Sequence, residues 1–436
     1  MGVKVCKFGG SSLSDAGQFK KVRDILLSDP ERRYVVPSAP GKRFKEDAKI
    51  TDMLYECFRQ ASGGRDITPY FAPIRERYLG IVKDLGLPID LSGRLDETQA
   101  RIQTYDNADY TASRGEYFSG VILSCYLGWD FIDPADYIKF DKQGMLSAEW
   151  TNDILGEELK KHEHAVIPGF YGSLPNGEIH TFSRGGSDIS GAIVARAAGA
   201  DIYENWTDVP GFLMADPRIV DHPKRIEKLT YRELRELSYM GATVLHEDSI
   251  FPVRKAGIPT NIRNTNQPDH PGTMILDSIP DSRESVITGI AGHKNFTLIS
   301  IEKAMMNSEL GYGRRVLQAL EEAGVSFEHL PTGIDTMCVV AADSEINHHR
   351  EEILDKIQQA CRPDILEMHS GIALIATVGR GMVRNPGTAA RLFTALARAE
   401  VNVRMIDQGS SELNIIVGVD VEDFEKAVKA IYEAFV

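Results

Sequence analysis

The stretch VKVCKFGGSSLSD, residues 3–15, contains a short apolar strand that breaks into two glycines and two serines. The next residues, DAGQFKKVRDILLSD at 15–29, have the spacing of an amphipathic helix, and RRYVVPSAPG at 32–41 predicts a second strand. Strand, turn, helix and strand in this order predict the start of an α/β sandwich. Short strands that end in glycine turns are typical of ligand binding at the carboxyl edge of a mostly parallel sheet.

A second glycine-rich stretch, TFSRGGSDISGAIVARAAGADIY at 181–203, opens an apolar helix. Its apolar residues from 189 to 197 fall on one helix face, and Ser187 or Asp188 would cap the first turn. Gly185 and Gly186 allow a ligand to approach free N–H groups at the positive end of the helix dipole. The stretch therefore predicts an anion site, although an ordinary capped helix is the alternative for this motif alone.

Length and composition predict a protein of two or three domains, because 436 residues and 48.3 kDa exceed the size at which one core stops growing. No apolar run is long enough to span a bilayer and the first residues show no secretory signal, so we expect a cytoplasmic protein without a membrane partner. Five scattered cysteines argue against disulfides or a zinc site. The net charge of −14 and the lack of a basic stripe disfavour nucleic-acid binding.

Beyond about residue 290 the pattern changes to two units of one plan, which is strand, glycine loop, amphipathic helix, strand, turn and strand. The units begin with FTLISIEKAMM at 296–306 and IALIATVGRGM at 372–382. This internal repeat of a βαβ-type unit, placed after a catalytic-looking domain, suggests sensing. The proline-containing stretch TNQPDHPGTMILDSIPDSRES at 265–285 is the predicted hinge.

Lys7 stands at the end of the first strand, directly before the glycines of KFGGSS. An ammonium group and several backbone N–H groups over a polyanion are what stabilisation of a phosphoryl group in transfer requires. The alternative is a glycine turn with a surface lysine. TDVPGFLMADPR at 207–218 adds a polar loop that could hold a nucleotide through backbone groups, Asp208 and Arg218.

These stretches occur together and in order: KFGGSS, SAPGKR followed by TD, RGEYFS, GFYG, TFSRGGSD, TDVPGF with ADPR, and GATVLH. Through these ordered motifs the sequence resembles the aspartate kinases of the amino-acid kinase superfamily. Its two C-terminal units resemble ACT domains. The resemblance covers nearly the whole chain. It implies an α/β three-layer sandwich with a mainly parallel central sheet, followed by two ferredoxin-like βαββαβ ACT units.

The resemblance also implies the domains and the reaction. A catalytic domain would span 1–285, a first ACT unit 286–365 and a second 366–436, and the two ACT units could interleave. The implied reaction moves the γ-phosphoryl group of MgATP to the β-carboxylate of L-aspartate, the first step of lysine, threonine and methionine synthesis. No fused homoserine dehydrogenase is expected.

The site roles follow from the same resemblance. Arg184 would hold a carboxylate of aspartate in a bidentate manner, while Asp188 and Glu116 would face its ammonium group. No general base is needed, because a carboxylate is already a nucleophile at neutral pH. The implied catalytic residues are Lys7, Gly9 and Gly10. The implied substrate-binding residues are Ser38, Thr51, Glu116, Phe170, Arg184, Gly185, Gly186, Ser187 and Asp188. The implied nucleotide-binding residues are Lys7, Ser11, Thr207, Asp208, Asp216 and Arg218.

Several of these roles have a structural alternative. Glu116 could lie in the first turn of a helix and favour its dipole. Arg184 and Asp188 could pair with each other on the surface, and Ser38 and Thr51 could be a turn residue and an N-cap. His246 is predicted to be structural. No resident metal is expected, and Mg²⁺ would arrive with the nucleotide.

The first ACT unit resembles the lysine-binding stretch of lysine-inhibited aspartate kinases. The implied effector residues are Met306, Gly311, Tyr312, Gly313, Glu328 and Asp335. Carboxylates suit the ammonium group of an effector, although both acids could be solvated edge residues. L-lysine is the expected inhibitor, with threonine as the alternative, and a homodimer or homotetramer through the ACT units is expected.

The chain departs from many relatives near the nucleotide. It has Leu213 and Met214 where they have tyrosine and threonine, Thr243 where they have lysine, and Glu247 where they have proline. A non-catalytic, amino-acid-sensing ACT subunit is therefore one alternative function. Another amino-acid kinase, for glutamate or acetylglutamate, is a second.

Overall fold

A computed structural model gives the fold of the chain and describes residues 2–104, 107–183, 185–242, 245, 247–279 and 286–436, with the backbone alone at 247 and 248. Arg184, Thr243 and His246, which the sequence analysis singled out, lie outside the described residues, as does the side chain of Glu247.

The chain divides into two compact units. The first unit consists of Met1–Phe212, Glu227–Tyr231 and Val244–Ile279. The second unit consists of Leu213–Ile226, Arg232–Thr243 and Pro280–Val436. The two short segments of the second unit fall inside the span 1–285, so the compact unit and the predicted catalytic domain are different sets of residues. Ala215 and Val220, in the first of these segments, are buried in a core of the second unit, which helps to explain why that segment belongs to it.

The first unit is an α/β structure with short strands and longer helices. Its strands are β1 (Lys4–Phe8), β2 (Arg32–Pro37), β3 (Asp130–Phe131), β4 (Ala165–Val166), β5 (Tyr171–Ser173), β6 (Ile179–Thr181), β7 (Ile202–Thr207), β8 (Lys228–Thr230), β9 (Thr260–Asn264) and β10 (Thr273–Leu276). Its helices are α1 (Ala16–Leu27), α2 (Ile50–Ser62), α3 (Thr68–Leu85), α4 (Ser92–Thr104), α5 (Ala108–Leu127), α6 (Pro134–Tyr137), α7 (Ala148–Leu159), α8 (Gly186–Ala197) and α10 (Phe251–Ala256). Helix α9 (Tyr231–Tyr239) begins in this unit and continues in the second.

The central sheet has eight strands in the order β3-β4-β2-β1-β7-β9-β10-β8, and only the β9–β10 pair is antiparallel. Strand β1 lies between β2 and β7, where Lys7 is the register partner of Val36 and Asn205. The parallel pairing brings the carboxyl ends of β1, β2 and β7 to one edge, which is where ligands bind in such sheets. The predicted mainly parallel sheet with helices is confirmed.

Local sequence explains the helices nearest that edge. The side chain of Asp15 accepts a hydrogen bond from the backbone N–H of Gln18 and so caps α1. Asn107 caps α5 in the same way, and Gly128 ends it in the left-handed conformation with φ of 69°. Helix α5 is buried on most of its faces, because small residues such as Gly115 and Gly120 allow close packing against Ala39 and Pro168.

The second unit contains an antiparallel sheet with helices. Its strands are β11 (Gly289–Glu302), β12 (Thr336–Ala342), β13 (Ile365–Val378), β14 (Val403–Asp407) and β15 (Asn414–Asp420). Its helices after α9 are α11 (Tyr312–Glu322), α12 (Asp343–Ile346), α13 (Arg350–Cys361), α14 (Thr388–Arg398) and α15 (Phe424–Phe435). The strand order is β12-β11-β13-β15-β14, and all of these pairs are antiparallel.

The two long strands β11 and β13 each run through both halves of this sheet. The second part of β11, from Phe296, pairs with β12 and with the first part of β13. The first part of β11, Gly289 to His293, pairs with the second part of β13, which in turn pairs with β15. One half of the sheet covers a core with α11 and α13, and the other covers a core with α14 and α15.

The predicted hinge at 265–285 is wrong in its central part. Residues 273–276 form β10, which pairs with β9 and β8 inside the sheet of the first unit. Pro268 and Pro271 precede this strand and shape the turn from β9, so the prolines mark a connection within the sheet. Among the helices of the described ranges, none combines the length and the apolar character needed to cross a bilayer.

Candidate active site

A cleft of about 680 Å³ lies at the carboxyl edge of the parallel strands in the first unit. The loops that follow β1, β2 and β7 contribute to it, together with the start of α8 and the middle of α5. Its lining residues are Lys7, Gly9, Gly10, Ser11, Ser38, Ala39, Pro40, Gly41, Lys42, Lys49, Thr51, Asp52, Glu116, Phe170, Gly185, Gly186, Ser187, Asp188, Thr207 and Asp208.

The floor of the cleft is the glycine turn after β1. The N–H of Gly41 donates to the carbonyl of Gly10 at 2.8 Å, so the turn after β1 touches the loop after β2. A Cβ on Gly41 would lie 2.7 Å from the carbonyl carbon of Gly10, which no side chain tolerates without backbone movement. The N–H of Gly9 donates to the carbonyl of Trp206 at 2.9 Å, so the predicted use of that N–H for a ligand is not supported in this conformation.

Lys7 and Asp188 form an ion pair in the cleft, with Nζ 2.6 Å from Oδ1. Lys7 is 7% exposed, so the pair is shielded from solvent on the lysine side. Asn205 of β7 donates its side-chain N–H to the same Asp188 oxygen at 2.7 Å. Asn205 was missed in the sequence, because only the pairing of β1 with β7 places it beside Lys7.

The start of α8 forms one wall. Gly185 precedes the helix with φ of 57°, and Gly186 is its first residue. A Cβ on Gly186 would lie 2.2 Å from the ring of Phe170, which itself has φ of 80°. A positive φ is unusual for a bulky residue and is a form of strain that concentrates at functional sites. The close contact explains why a glycine is needed at 186.

Glu116 projects into the cleft from the middle of α5. Its burial raises the pKa of Glu116 to about 7, although hydrogen bonds from the Ala39 backbone and from Ser187 act in the opposite direction. Its Oε2 is buried and has no hydrogen-bond partner among the described residues. The alternative position for Glu116, in the first turn of a helix, is wrong, since α5 begins eight residues earlier at Ala108.

The loop from Gly41 to Lys49 is held by a buried carboxylate. Asp47 accepts hydrogen bonds from the side chains of Arg43 and Arg77, and Arg77 also donates to the carbonyl of Gly41. The hydrogen bonds from Arg43, with the charge of Arg77, hold the pKa of Asp47 well below its usual range. This loop brings Lys42 and Lys49 to the cleft, and neither lysine was among the site residues predicted from the sequence.

Most of the predicted site residues come together in this cleft. Beside those already described, Ser11, Ser38, Thr207 and Asp208 line it. Thr51 also lines it, but as the second residue of α2, whose N-cap position is Lys49, so the N-cap alternative for Thr51 is wrong. Asp216 and Arg218 belong to the second unit, where the Arg218 guanidinium pairs with the Asp216 carboxylate.

Most of the predicted effector residues lie in the second unit around the start of α11, but Glu328 follows the end of that helix, where its N–H donates to the carbonyl of Val340 at 2.7 Å. Gly311, with φ of 78°, precedes the helix, and Tyr312 and Gly313 are its first residues. Burial raises the pKa of Tyr312 to about 12. The Asp335 carboxylate accepts a hydrogen bond from the N–H of Met305, next to the buried Met306. Glu328 accepts one from the Tyr239 hydroxyl.

In the part of the chain that the structure describes, no group of three or more histidine, cysteine, aspartate or glutamate side chains could hold a metal ion. The carboxylates that line the cleft are Asp52, Glu116, Asp188 and Asp208. Since Mg²⁺ prefers oxygen ligands and is commonly held by one or two carboxylates together with phosphates, these side chains fit a metal that binds with a nucleotide.

Comparison with known proteins is consistent with this site. Residues 2–264 match the amino acid kinase family, and residues 375–435 match an ACT domain. The chain is 37% identical to aspartokinase 3 of Bacillus subtilis, over 99% of this chain and 98% of that protein. It is 29% identical to the chloroplastic aspartokinase 1 of Arabidopsis thaliana, over 99% of this chain and 80% of that protein.

Solved structures of aspartate kinases are also similar over the whole chain. The crystal structure of Clostridium acetobutylicum aspartate kinase is 51% identical, with a TM-score of 0.92, covering 100% of this chain and 99% of that chain. Aspartokinase III of E. coli, solved with aspartate and ADP, has a TM-score of 0.76 at 24% identity, over 99% of each chain, and shows the shared fold.

Proposed function

The chain belongs to the aspartate kinases of the amino acid kinase family, and from this premise we propose how its cleft performs the reaction. The enzyme transfers the γ-phosphoryl group of ATP to the β-carboxylate of L-aspartate and forms 4-phospho-L-aspartate. The observation that supports this assignment of the cleft is that one pocket contains a shielded ammonium group, a helix start and an unpartnered buried carboxylate oxygen.

Glu116 is the group proposed to bind the ammonium of aspartate. Its Oε2 is buried without a partner among the described residues, and an ammonium group would satisfy that oxygen. Asp188 was expected to share this role. Its carboxylate already binds Lys7 and Asn205, so we assign it chiefly to holding Lys7 in place. Arg184, outside the described residues, stays the proposed partner of a substrate carboxylate.

Lys7 is proposed to stabilise the phosphoryl group in transfer. Its ammonium group sits at the end of β1 beside the turn of Gly9 and Gly10, which lines the same cleft. The β-carboxylate of aspartate is the nucleophile, so the protein contributes position and positive charge. Mg²⁺ bound with the nucleotide would neutralise phosphate charge, and Asp52 and Asp208 are the proposed carboxylates on that side.

The remaining assignments are proposals that rest on the family. Ser11, Thr207, Asp216 and Arg218 would contact ATP, and Ser38, Thr51, Phe170 and Ser187 would shape the aspartate site. The domains would be 1–285, 286–365 and 366–436, with interleaved ACT units. L-lysine, or else threonine, would bind around Gly311 in the cytoplasmic enzyme, which would be a homodimer or homotetramer.

The reaction can be tested by trapping the acyl phosphate with hydroxylamine in the presence of ATP, Mg²⁺ and aspartate. We expect aspartate-dependent hydroxamate with the wild type and a kcat about a hundredfold lower for Lys7→Ala, because its partner is the phosphoryl group in transfer. Lys20→Ala, an exposed lysine on α1, is the matched control. Absence of product from the folded wild type, or an Lys7→Ala effect confined to aspartate affinity, would refute the assignment.

A further inference from the structure

ATP and aspartate bring more negative charge to the cleft than Lys7, among its described lining residues, can meet alone. ATP brings a triphosphate and aspartate brings two carboxylates, whereas the ammonium group of Lys7 is already paired with Asp188 at 2.6 Å. Phosphoryl transfer depends on cations that neutralise the phosphate oxygens. Among the described lining residues, the further cations are Lys42 and Lys49.

Lys42 is the better placed of the two. It follows Gly41, whose N–H donates to the carbonyl of Gly10 at 2.8 Å, so the backbone of Lys42 is tied to the turn beside Lys7. Lys49 is the N-cap residue of α2, and the N–H of the next residue, Ile50, donates to the carbonyl of Pro40 at 3.2 Å, so Lys49 is anchored to the loop after β2 rather than to the turn beside Lys7. The Lys42 ammonium makes one long hydrogen bond of 3.4 Å, to the carbonyl of Lys45, and its side chain is exposed. A phosphate oxygen can replace that weak contact at little cost.

The loop that carries Lys42 is fixed by the buried carboxylate of Asp47. Arg77 of α3 donates two hydrogen bonds of 2.9 Å to Asp47 and one of 3.2 Å to the carbonyl of Gly41. Arg43 donates to Asp47 from its backbone and its side chain. Because the backbone on both sides of Lys42 is held, only the side chain has to be ordered when a ligand binds.

We propose that Lys42 is a second phosphate-binding cation of this kinase, which contacts the phosphate chain of the nucleotide beside Lys7. The proposal rests on the proposed function. In the transfer, the bond from the γ-phosphorus to its bridging oxygen breaks, and a bond from that phosphorus to an aspartate carboxylate oxygen forms. ADP leaves with the electron pair of the broken bond, and Lys42 keeps its proton throughout.

Lys42→Ala tests this with Lys45→Ala as the matched control, because Lys45 is an exposed lysine of the same loop that does not line the cleft. Calorimetry with MgADP and with adenosine, without aspartate, measures the phosphate contact directly. We expect Lys42→Ala to weaken MgADP binding about tenfold or more while adenosine binding is unchanged, as for loss of one charge-assisted hydrogen bond. Lys42→Arg should restore most of the affinity, and Lys45→Ala should bind as the wild type.

The steady-state counterpart is a rise in the KM for ATP for Lys42→Ala, with the KM for aspartate within about twofold of the wild type. Unchanged MgADP binding in Lys42→Ala, or an equal loss in Lys45→Ala, would overturn the proposal. A loss in Lys49→Ala without one in Lys42→Ala would do the same. Since these binding measurements need no turnover, a wild type that binds MgADP but forms no aspartyl hydroxamate would refute the proposed function and leave this result separate.

Discussion

At the scale of single residues, Glu116 has the most informative environment. Most buried carboxylates are paired, yet its Oε2 has no partner among the described residues. Burial raises its pKa to about 7, so the free enzyme holds a mixture of the neutral and ionised carboxyl near neutral pH. The ammonium group of aspartate favours the ionised form. Substrate binding and ionisation of this one residue are therefore linked.

We expect kcat/KM for aspartate to rise with pH through about 7, because the free enzyme must ionise Glu116 before it binds the ammonium group. Glu116→Gln should be much less active and should lack this titration. The pH profile of hydroxamate formation from about pH 6 to 8 is the measurement. A wild-type profile without this titration, in an otherwise active enzyme, would contradict the assignment of Glu116.

The same group has a defined effect on stability. Its pKa in the folded protein, about 7, lies above the ordinary value of 4.5, so folding favours the protonated carboxyl. That contribution is fully present below about pH 4.5 and is lost as pH rises through about 7. Glu116→Gln removes the charge, so its free energy of unfolding relative to the wild type should increase from pH 5 to pH 8 in urea titrations, by about 2–3 kcal/mol.

At the scale of elements, the contact that shapes the cleft joins two loops rather than two helices or strands. The turn after β1 and the loop after β2 touch through Gly10 and Gly41, and both glycines occur in motifs that the sequence analysis had noticed. The pairing itself could not be predicted, because it depends on β1 and β2 being parallel neighbours in register.

Gly41→Ala should disable the cleft, since its Cβ would meet backbone atoms of Gly10 and Ser11 at 2.7–2.9 Å. We expect a loss of about 1–3 kcal/mol in the free energy of unfolding and a large loss of kcat/KM for both substrates. Gly80→Ala is the control, because its Cβ would point into open space inside α3. That change should stabilise by about 0.5–1 kcal/mol without affecting activity. Thermal unfolding measures the change in stability of each variant, and the hydroxamate assay measures the change in kcat/KM. Wild-type activity in Gly41→Ala would contradict the role of this glycine in the cleft.

The sequence predicted the elements that carry a strong local signal. The β1–α1–β2 start, the helix after GGSD and the mainly parallel sheet are all present. Strand β10 was missed because prolines on both sides of it resembled a linker. Glu116 was placed within a motif but not at its position in α5, since the polar residues of a buried helix obscure its start. The Lys7–Asp188 pair and the support from Asn205 are long-range contacts that no local pattern contains.

At the scale of the whole molecule, the second unit combines α9, from Arg232 onward, with the sheet of the ACT-like region. The Tyr239 hydroxyl at the end of α9 donates to Glu328, which is a proposed effector carboxylate. Glu233 of the same helix is fully buried and pairs with Arg380 at 3.0 Å. An effector ammonium that took Glu328 would compete with Tyr239, so effector binding would loosen one of the contacts of α9.

If lysine is the effector, as proposed, Tyr239→Phe should lower its half-inhibitory concentration about three- to tenfold, because a competing hydrogen bond is removed. Glu328→Gln should weaken inhibition, since the carboxylate that would meet the effector ammonium is lost. Tyr70→Phe, a partly exposed tyrosine on α3, is the control for loss of a hydroxyl. Inhibition curves for lysine and for threonine measure these half-inhibitory concentrations. An unchanged or higher half-inhibitory concentration in Tyr239→Phe would contradict this link.

The shared strands β11 and β13 also bear on how such a chain can be inherited. The sheet has two ACT-like halves, but the strand that completes the second half, Gly289 to His293, precedes the first half in the chain. A recombination event with its break between the two halves would separate the second from one of its own strands. We therefore expect the two halves to be inherited together, because neither can be exchanged alone without breaking a strand pairing.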